Sequence, residues 1–226
     1  PVCPALADTC RELAPQTPLS VLHDVTPPKP DVRPAGVLNL RDLVGSDGPI
    51  ALYVGNFEGY QGVDILLDAM EKVGLESPLR LVLVGGGKNA ESLRQRIETT
   101  DLKGRVFLPG PQPLDQLPFL LEQADILVSP RSQGVNTPMK VYAYLQSGRA
   151  ILATRILSHT QVMSEEHVYL ADPNPEALAE GLVILSQDSS LRARLAQSAR
   201  VLSETRFSRK ALGDRITGAY RAEADD

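Results

Sequence analysis

Arg131 and Lys140 are the two cations whose setting could turn charge into chemistry. They stand in the run Ser129-Pro130-Arg131-Ser132-Gln133-Gly134-Val135-Asn136-Thr137-Pro138-Met139-Lys140. That run leads into a helix predicted over Val141–Gln146, with Gly148 closing it. Thr137 offers a capping hydroxyl, and Pro138 suits the first helical position. The amides of such a first turn are free to meet an anion, with the helix dipole assisting. Arg131 and Lys140 can neutralise the same charge, so the segment has the makings of a diphosphate seat. The plainer alternative is a pair of solvated surface cations.

Two further loops are rich in glycine. The first is Gly55-Asn56-Phe57-Glu58-Gly59-Tyr60-Gln61-Gly62, where glycine lets the backbone approach a ligand and the following helix start favours an anion. The second is Gly85-Gly86-Gly87, followed by Lys88-Asn89-Ala90. Gly85, Gly87 and Ala90 satisfy the dinucleotide pattern G-x-G-x-x-A. That pattern belongs on the first strand, with an acid ending the next one. Here the next strand ends Leu108-Pro109-Gly110, and no acid is at hand for a ribose. The three glycines fit better as bare backbone against a nucleotide base or ribose. His159, in Ser158-His159-Thr160-Gln161, follows a later strand on the same side and is a candidate for contact with sugar or phosphate. Its alternative is a loop histidine that caps a helix.

The elements that must position these loops come next. Apolar, β-branched runs recur at Ile50–Val54, Leu79–Val84, Val106–Leu108, Ile126–Val128, Ala150–Ala153 and Val168–Ala171. They are nearly continuous, as strands covered on both faces require. Between them lie helical stripes, Val63, Leu66, Leu67 and Met70 in one, and Leu114, Leu117, Leu120 and Leu121 in another. Strand–helix alternation of this kind predicts an α/β fold with a doubly wound parallel sheet, Rossmann-like. Helices over Pro175–Ser186, Ser190–Thr205 and Ser208–Ala222 end the chain. Upstream, Pro27, Pro28, Pro30 and Pro34 mark a semi-rigid linker. It is preceded by a predicted helix (Ala5 to Ala14) and a short strand (Ser20 to His23). The chain opens on Pro1, so we expect it to be cut from a longer protein.

Composition narrows the function. A net charge of −5, with both signs interspersed, argues against a general nucleic-acid binder. No apolar run approaches the roughly 20 residues that span a bilayer. Cys3 and Cys10 have neither metal-ligand spacing nor histidine partners and are expected as reduced thiols in the cytoplasm. No G-x-S-x-G elbow, P-loop or H-E-x-x-H is present. Glu165-Glu166 and Asp225-Asp226 are expected to be solvated, since no second carboxylate suggests glycosidase chemistry. His23 and His167 carry no partner pattern.

The order of blocks from Tyr53 to Tyr220 resembles the C-terminal domain of group 1 glycosyltransferases, retaining enzymes of GT-B fold. The likeness rests on LYVGNFEGYQGVDILLDAM, LRLVLVGGG, VFLPGPQPLDQLPFLLEQADILVSPR, NTPMKVYAYLQSGRAILATR and ETRFSRKALGDRITGAYRA. It implies a remnant of the acceptor-binding domain in residues 1–27, a nucleotide-sugar-binding domain in 28–205, and a return helix in 206–226. It implies binding of a nucleoside-diphosphate sugar and retaining hexosyl transfer to an acceptor hydroxyl, saccharide or lipid-linked. No cofactor and no metal are implied, the partner is the chain's own N-terminal domain, and the setting is the cytoplasm, up to the inner membrane face. The fragment alone is expected to be inactive.

Donor contacts are expected from Gly55, Asn56, Gln61, Gly85, Gly86, Gly87, Ser129, Arg131, Asn136, Thr137, Pro138, Met139, Lys140 and His159. Several positions depart from the family pattern. Asn56 and Gln61 stand where an Arg and a Lys grip the diphosphate. Val135 and Ala143 replace two glutamates eight positions apart, and Gln161 replaces an acid after the fifth strand. Either Arg131 and Lys140 supply the charge from another loop, or the chain is a non-catalytic binding or scaffolding homologue. A UDP-sugar epimerase-like enzyme would share the same sheet and pocket. The intact glycine loops and the Thr-Pro-x-Lys helix start favour the first.

Overall fold

In the computed structural model, which describes residues 1–25 and 28–224, six parallel strands form one sheet in the order β3-β2-β1-β4-β5-β6. Pro27 of the linker and the Asp225-Asp226 pair lie outside the described residues. The strands are β1 (Ile50–Asn56), β2 (Arg80–Gly86), β3 (Val106–Gly110), β4 (Ile126–Ser129), β5 (Ala150–Thr154) and β6 (Tyr169–Ala171). They run where the apolar runs predict, extended by a residue or two at the carboxyl ends of β1 to β5. The fold is therefore the expected Rossmann-like α/β sheet.

The continuous apolar runs resolve into two cores once the pleat separates alternate residues. Ala51 and Tyr53 of β1 face a core with α3 (Val63–Lys72), α4 (Ala90–Thr99) and α8 (Pro175–Gln187). Ile50 and Leu52 face the opposite core, built with α2 (Leu40–Val44), α5 (Leu117–Leu121), α6 (Met139–Gln146) and α9 (Ser189–Arg206). The α3 stripe of Val63, Leu66, Leu67 and Met70 is buried as its spacing requires. Truncating Leu66 or Leu67 to Ala would cost about 2–5 kcal/mol.

Two local expectations need correction. Leu114 is 86% exposed, because a 3-10 turn over Leu114–Gln116 precedes α5 and breaks the proposed stripe. Ser20–His23 does not join the sheet; it has no regular secondary structure and is held in part by the Leu22 amide donating to Pro1 O at 3.0 Å. His23 instead buries its ring edge-on against Phe207, 5.2 Å between centroids. A further helix forms over Leu40–Val44, where Asn39 caps it by accepting from the Arg41 and Asp42 amides. Gly45 ends that helix in the left-handed conformation. At the N-terminus α1 (Pro4–Leu13) forms close to its predicted span, and α10 (Arg209–Ala224) closes the chain. Among the described residues no helix is long and apolar enough to cross a membrane.

Candidate functional site

The strand order reverses between β1 and β4, and in open α/β sheets that switch point is where a crevice opens at the carboxyl ends. The three loops singled out after β1, β2 and β4 lie on this rim. The first turn after β1 is set by Tyr53, whose buried hydroxyl donates to Asn56 O at 2.6 Å. The Phe57 amide donates to Gly86 O at 3.0 Å, and Asn89 Nδ2 donates to Phe57 O at 2.7 Å, so the first two loops are tied together. The Ser132 amide donates to Tyr60 O at 3.0 Å and ties the third loop to the first.

This interlocking changes the role of several glycines. A Cβ on Gly85 would stand 1.8 Å from Gly55 O, and one on Gly62 would stand 1.9 Å from Pro130 O. These glycines let loop meet loop rather than loop meet ligand. Gly86 and Gly87 are different, with no atom closer than 3.9 Å and 3.5 Å to the added carbon. Bare backbone toward the rim is thus found at Gly86 and Gly87, whereas the space above Gly55 is taken by Lys140 and Tyr53.

Lys140 enters that space from the first turn of α6. Its ammonium is buried without a hydrogen-bond partner among the described residues and sits 4.0 Å above the centroid of the Tyr53 ring. Desolvation, aided by repulsion from Arg131, pushes its pKa down to about 7. Arg131, only 7% exposed, is folded back on its own loop. Its Nε donates to Gln133 O at 2.6 Å, Nη2 donates to Asn136 Oδ1 at 3.0 Å, and the guanidinium packs 5.2 Å from the Tyr60 ring centroid. Gly134 permits this fold, since a Cβ there would lie 2.2 Å from Arg131 Nη2. The two cations share one end of the crevice and have no carboxylate hydrogen-bonded to them among the described residues.

The α6 start is shifted by one residue from expectation. Pro138 occupies the N-cap position, not the first helical one, and no side chain caps the helix. The Thr137 hydroxyl accepts instead from Gln161 Nε2 at 3.0 Å. The amides of Met139 and Lys140 keep the freedom of a first turn, while the Met139 side chain is 70% exposed.

Ser129 and His159 are placed beneath the rim rather than on it, which corrects their expected role as direct donor contacts. Both are fully buried. His159, within the short helix α7 (Leu157–Thr160), donates from Nδ1 to Thr154 O at 2.8 Å, and its Nε2 accepts from Ser129 Oγ at 2.9 Å. Burial pushes its pKa down to about 4, so the ring is a neutral brace between the ends of β4 and β5. Asn56 is exposed at the rim, and Gln61 is buried with its Oε1 unpartnered. Ala143 is half-buried and packs on the α6 core, and Val135 is half-exposed, so neither position presents a carboxylate. Tyr53, Tyr60 and Gln161 are structural partners of the cations and their loop that residue spacing did not expose. An aromatic residue at a strand's carboxyl end beside a glycine, as in Tyr53-Val54-Gly55, was the available signal. Away from the rim, an open charged hollow lined by Asp68, Glu71, Lys72, Pro175 and Glu176 lies between α3 and α8 and touches none of these groups.

The arrangement can hold an anion: two buried cations, first-turn amides and the bare backbone of Gly86 and Gly87 lie along the same sheet edge. Residues 41–202 match the family model for glycosyl transferases group 1. Alpha-D-kanosaminyltransferase of Streptomyces kanamyceticus is 25% identical over 187 residues, 80% of this chain and 48% of that protein. D-inositol 3-phosphate glycosyltransferase of Xylanimonas cellulosilytica is 28% identical over 190 residues, 80% of this chain and 45% of that protein. The chain thus spans about half the length of the curated relatives it matches. Among solved structures, sucrose-phosphate synthase from Thermosynechococcus elongatus superposes with a TM-score of 0.79 at 21% identity, covering 99% of this chain and 57% of that one. Anabaena HepE in complex with UDP-glucose superposes with a TM-score of 0.71 at 17% identity, covering 83% and 52%. On the family match across most of its length and the shared sheet, this chain belongs to the glycosyl transferases group 1 family.

Proposed function

We propose that the chain is the donor-binding half of a group 1 glycosyltransferase, seating a nucleoside-diphosphate sugar in the crevice between β1 and β4. The diphosphate meets Lys140, Arg131 and the amides of Met139 and Lys140, with Asn56, Asn136 and Thr137 at its edge. The nucleoside lies over Gly86 and Gly87. The observation that carries this reading is the Lys140 ammonium, buried at the strand-order switch with no acceptor among the described residues. A buried amine without a partner is costly, and an anionic ligand relieves that cost. The UDP-glucose complex of HepE supports the same ligand class.

The reaction we assign is retaining hexosyl transfer to an acceptor hydroxyl. The cations and amides stabilise charge that grows on the departing diphosphate, which is where such a site lowers the barrier most. The groups that bind and orient the acceptor belong to a separate N-terminal domain of the whole protein, so residues 1–226 alone bind donor without turnover. No metal and no cofactor enter this scheme. A second reading, a non-catalytic binding module, draws on Val135 and Ala143, which leave no carboxylate at the two positions named above. Calorimetric titration with UDP, GDP and ADP separates the two. Micromolar or tighter binding of one of them supports the donor site, and no binding of any overturns it. Product analysis on the full-length protein distinguishes transfer from epimerisation.

A further inference from the structure

We propose that Gln161 is a positioning residue for the anion seat, joining the N-terminal helix to the loop that carries Arg131. This rests on the donor-site reading above. The side-chain amide of Gln161 serves three polar groups from two distant segments. Its Oε1 accepts from the Ala5 amide in the first turn of α1 at 3.1 Å. Its Nε2 donates to Val135 O at 2.8 Å and to Thr137 Oγ1 at 3.0 Å. The amide orientation is forced: Ala5 N–H needs an acceptor and Val135 O needs a donor, so oxygen and nitrogen cannot exchange places. The Cys3 thiol reaches the same Val135 carbonyl, at 3.9 Å.

The two loop residues pinned by Gln161 flank Asn136, and Asn136 Oδ1 holds Arg131 Nη2. A continuous hydrogen-bonded path therefore runs from α1 through Gln161 and the 135–137 backbone to the guanidinium. Gln161 touches neither cation, so its effect on a bound anion comes through the placement of Arg131. A glutamate at this position keeps an acceptor for Ala5 and the Thr137 hydroxyl. It loses the donor to Val135 and sets a carboxylate against that carbonyl. Thus Gln161→Glu is expected to act like Gln161→Ala at the anion seat while leaving α1 docked.

The test is calorimetry on the whole chain with whichever of UDP, GDP and ADP binds tightest, and with the matching phosphate-free nucleoside. Gln161→Ala is expected to weaken the diphosphate about five- to tenfold, the effect of losing one or two hydrogen-bond restraints, and to leave the nucleoside unchanged. In an Arg131→Ala background the same substitution is expected to add less than about twofold, because the path ends at the residue removed. Equal losses for diphosphate and nucleoside, or losses that add fully to Arg131→Ala, overturn the proposal in favour of a merely structural glutamine. Unchanged diphosphate affinity in Gln161→Ala overturns it as well, with the donor site intact. If the unsubstituted chain binds none of the three nucleotides, the donor reading itself fails and takes this one with it. Should Gln161→Ala fail to fold, as judged by its thermal midpoint, Gln161→Glu carries the same comparison.

Discussion

Lys140 Nζ lies 4.0 Å above the Tyr53 ring centroid, in the space a side chain at position 55 would fill, and has no hydrogen-bond acceptor among the described residues. The ring face returns some of the hydration lost on burial, but not all. Binding and stability therefore pull in opposite directions at this residue. Lys140→Met is expected to weaken the bound nucleoside diphosphate by about 1.5–3 kcal/mol, the range for hydrogen bonds to charged groups. The same variant is expected to unfold at equal or higher temperature, since it removes a buried unpaired amine and keeps the side-chain volume. A variant that loses stability with unchanged affinity would show that the amine is structural.

The same burial dictates a pH dependence. Lys140 titrates near 7 in the folded chain, against 10.5 for an unperturbed lysine. Between those values the unfolded chain binds a proton that the folded chain refuses. Stability contributed at this site is therefore lowest below about pH 7 and is regained as pH rises toward 10. Thermal midpoints of the unsubstituted chain minus those of Lys140→Met should rise from pH 7 to 9.5. A flat difference would mean that the ammonium is solvated or paired in solution. Because an anion restores the charged form, nucleoside diphosphate binding at pH 8 should take up a proton, visible as a dependence of the calorimetric enthalpy on buffer ionisation.

The glycines separate into two classes by what they face. Gly85→Ala brings a carbon to within 1.8 Å of Gly55 O on a backbone with φ of +151°, so β1 and β2 must part. A loss of roughly 2–4 kcal/mol in unfolding free energy is expected, with nucleotide affinity falling as a by-product. Gly86→Ala meets nothing closer than 3.9 Å and needs no left-handed backbone. It should change stability by no more than about 0.5 kcal/mol. Its cost should fall on nucleotide affinity alone, about fivefold or more, because the methyl group stands where the ligand is assigned. Denaturant melts and calorimetry on the two variants read this contrast, and full affinity in Gly86→Ala would move the nucleoside elsewhere.

The fold was legible because its strands are short, β-branched and covered on both faces, so Ile50–Val54 and Ile126–Val128 announce themselves by composition alone. The α3 stripe was legible for the parallel reason that a helix buries one side. The placement of the rim loops was legible too, since they follow directly from where strands end. What sequence did not reveal was how those loops pack on each other. Gly55, Gly62, Gly85 and Gly134 look alike as letters, yet each is required by a different neighbour: an ammonium, a proline carbonyl, a glycine carbonyl and a guanidinium. Spacing is equally silent on Gln161, whose partners lie 24 to 156 positions away. Thr137 does not cap α6 for the same reason, because the competing donor, Gln161 Nε2, comes from another part of the chain.

His159 tests that distinction between floor and rim. Its ring is sealed between Ser129 and Thr154 and has a pKa near 4, against 6.5 for a free histidine. In this interval the unfolded chain carries the extra proton, so stability is expected to fall as pH drops through 6.5 and to level off below about 4. The span corresponds to about 3 kcal/mol at most. His159→Gln should flatten this acid limb and lower stability at neutral pH by about 1–3 kcal/mol, through the hydrogen bonds it disturbs. Nucleoside diphosphate affinity at pH 7.5 should stay within about twofold of the unsubstituted chain, because a fully buried ring offers nothing to a ligand on the rim. The opposite pattern, an affinity loss beyond tenfold with unchanged melting, would bring the imidazole back to the crevice as a direct contact.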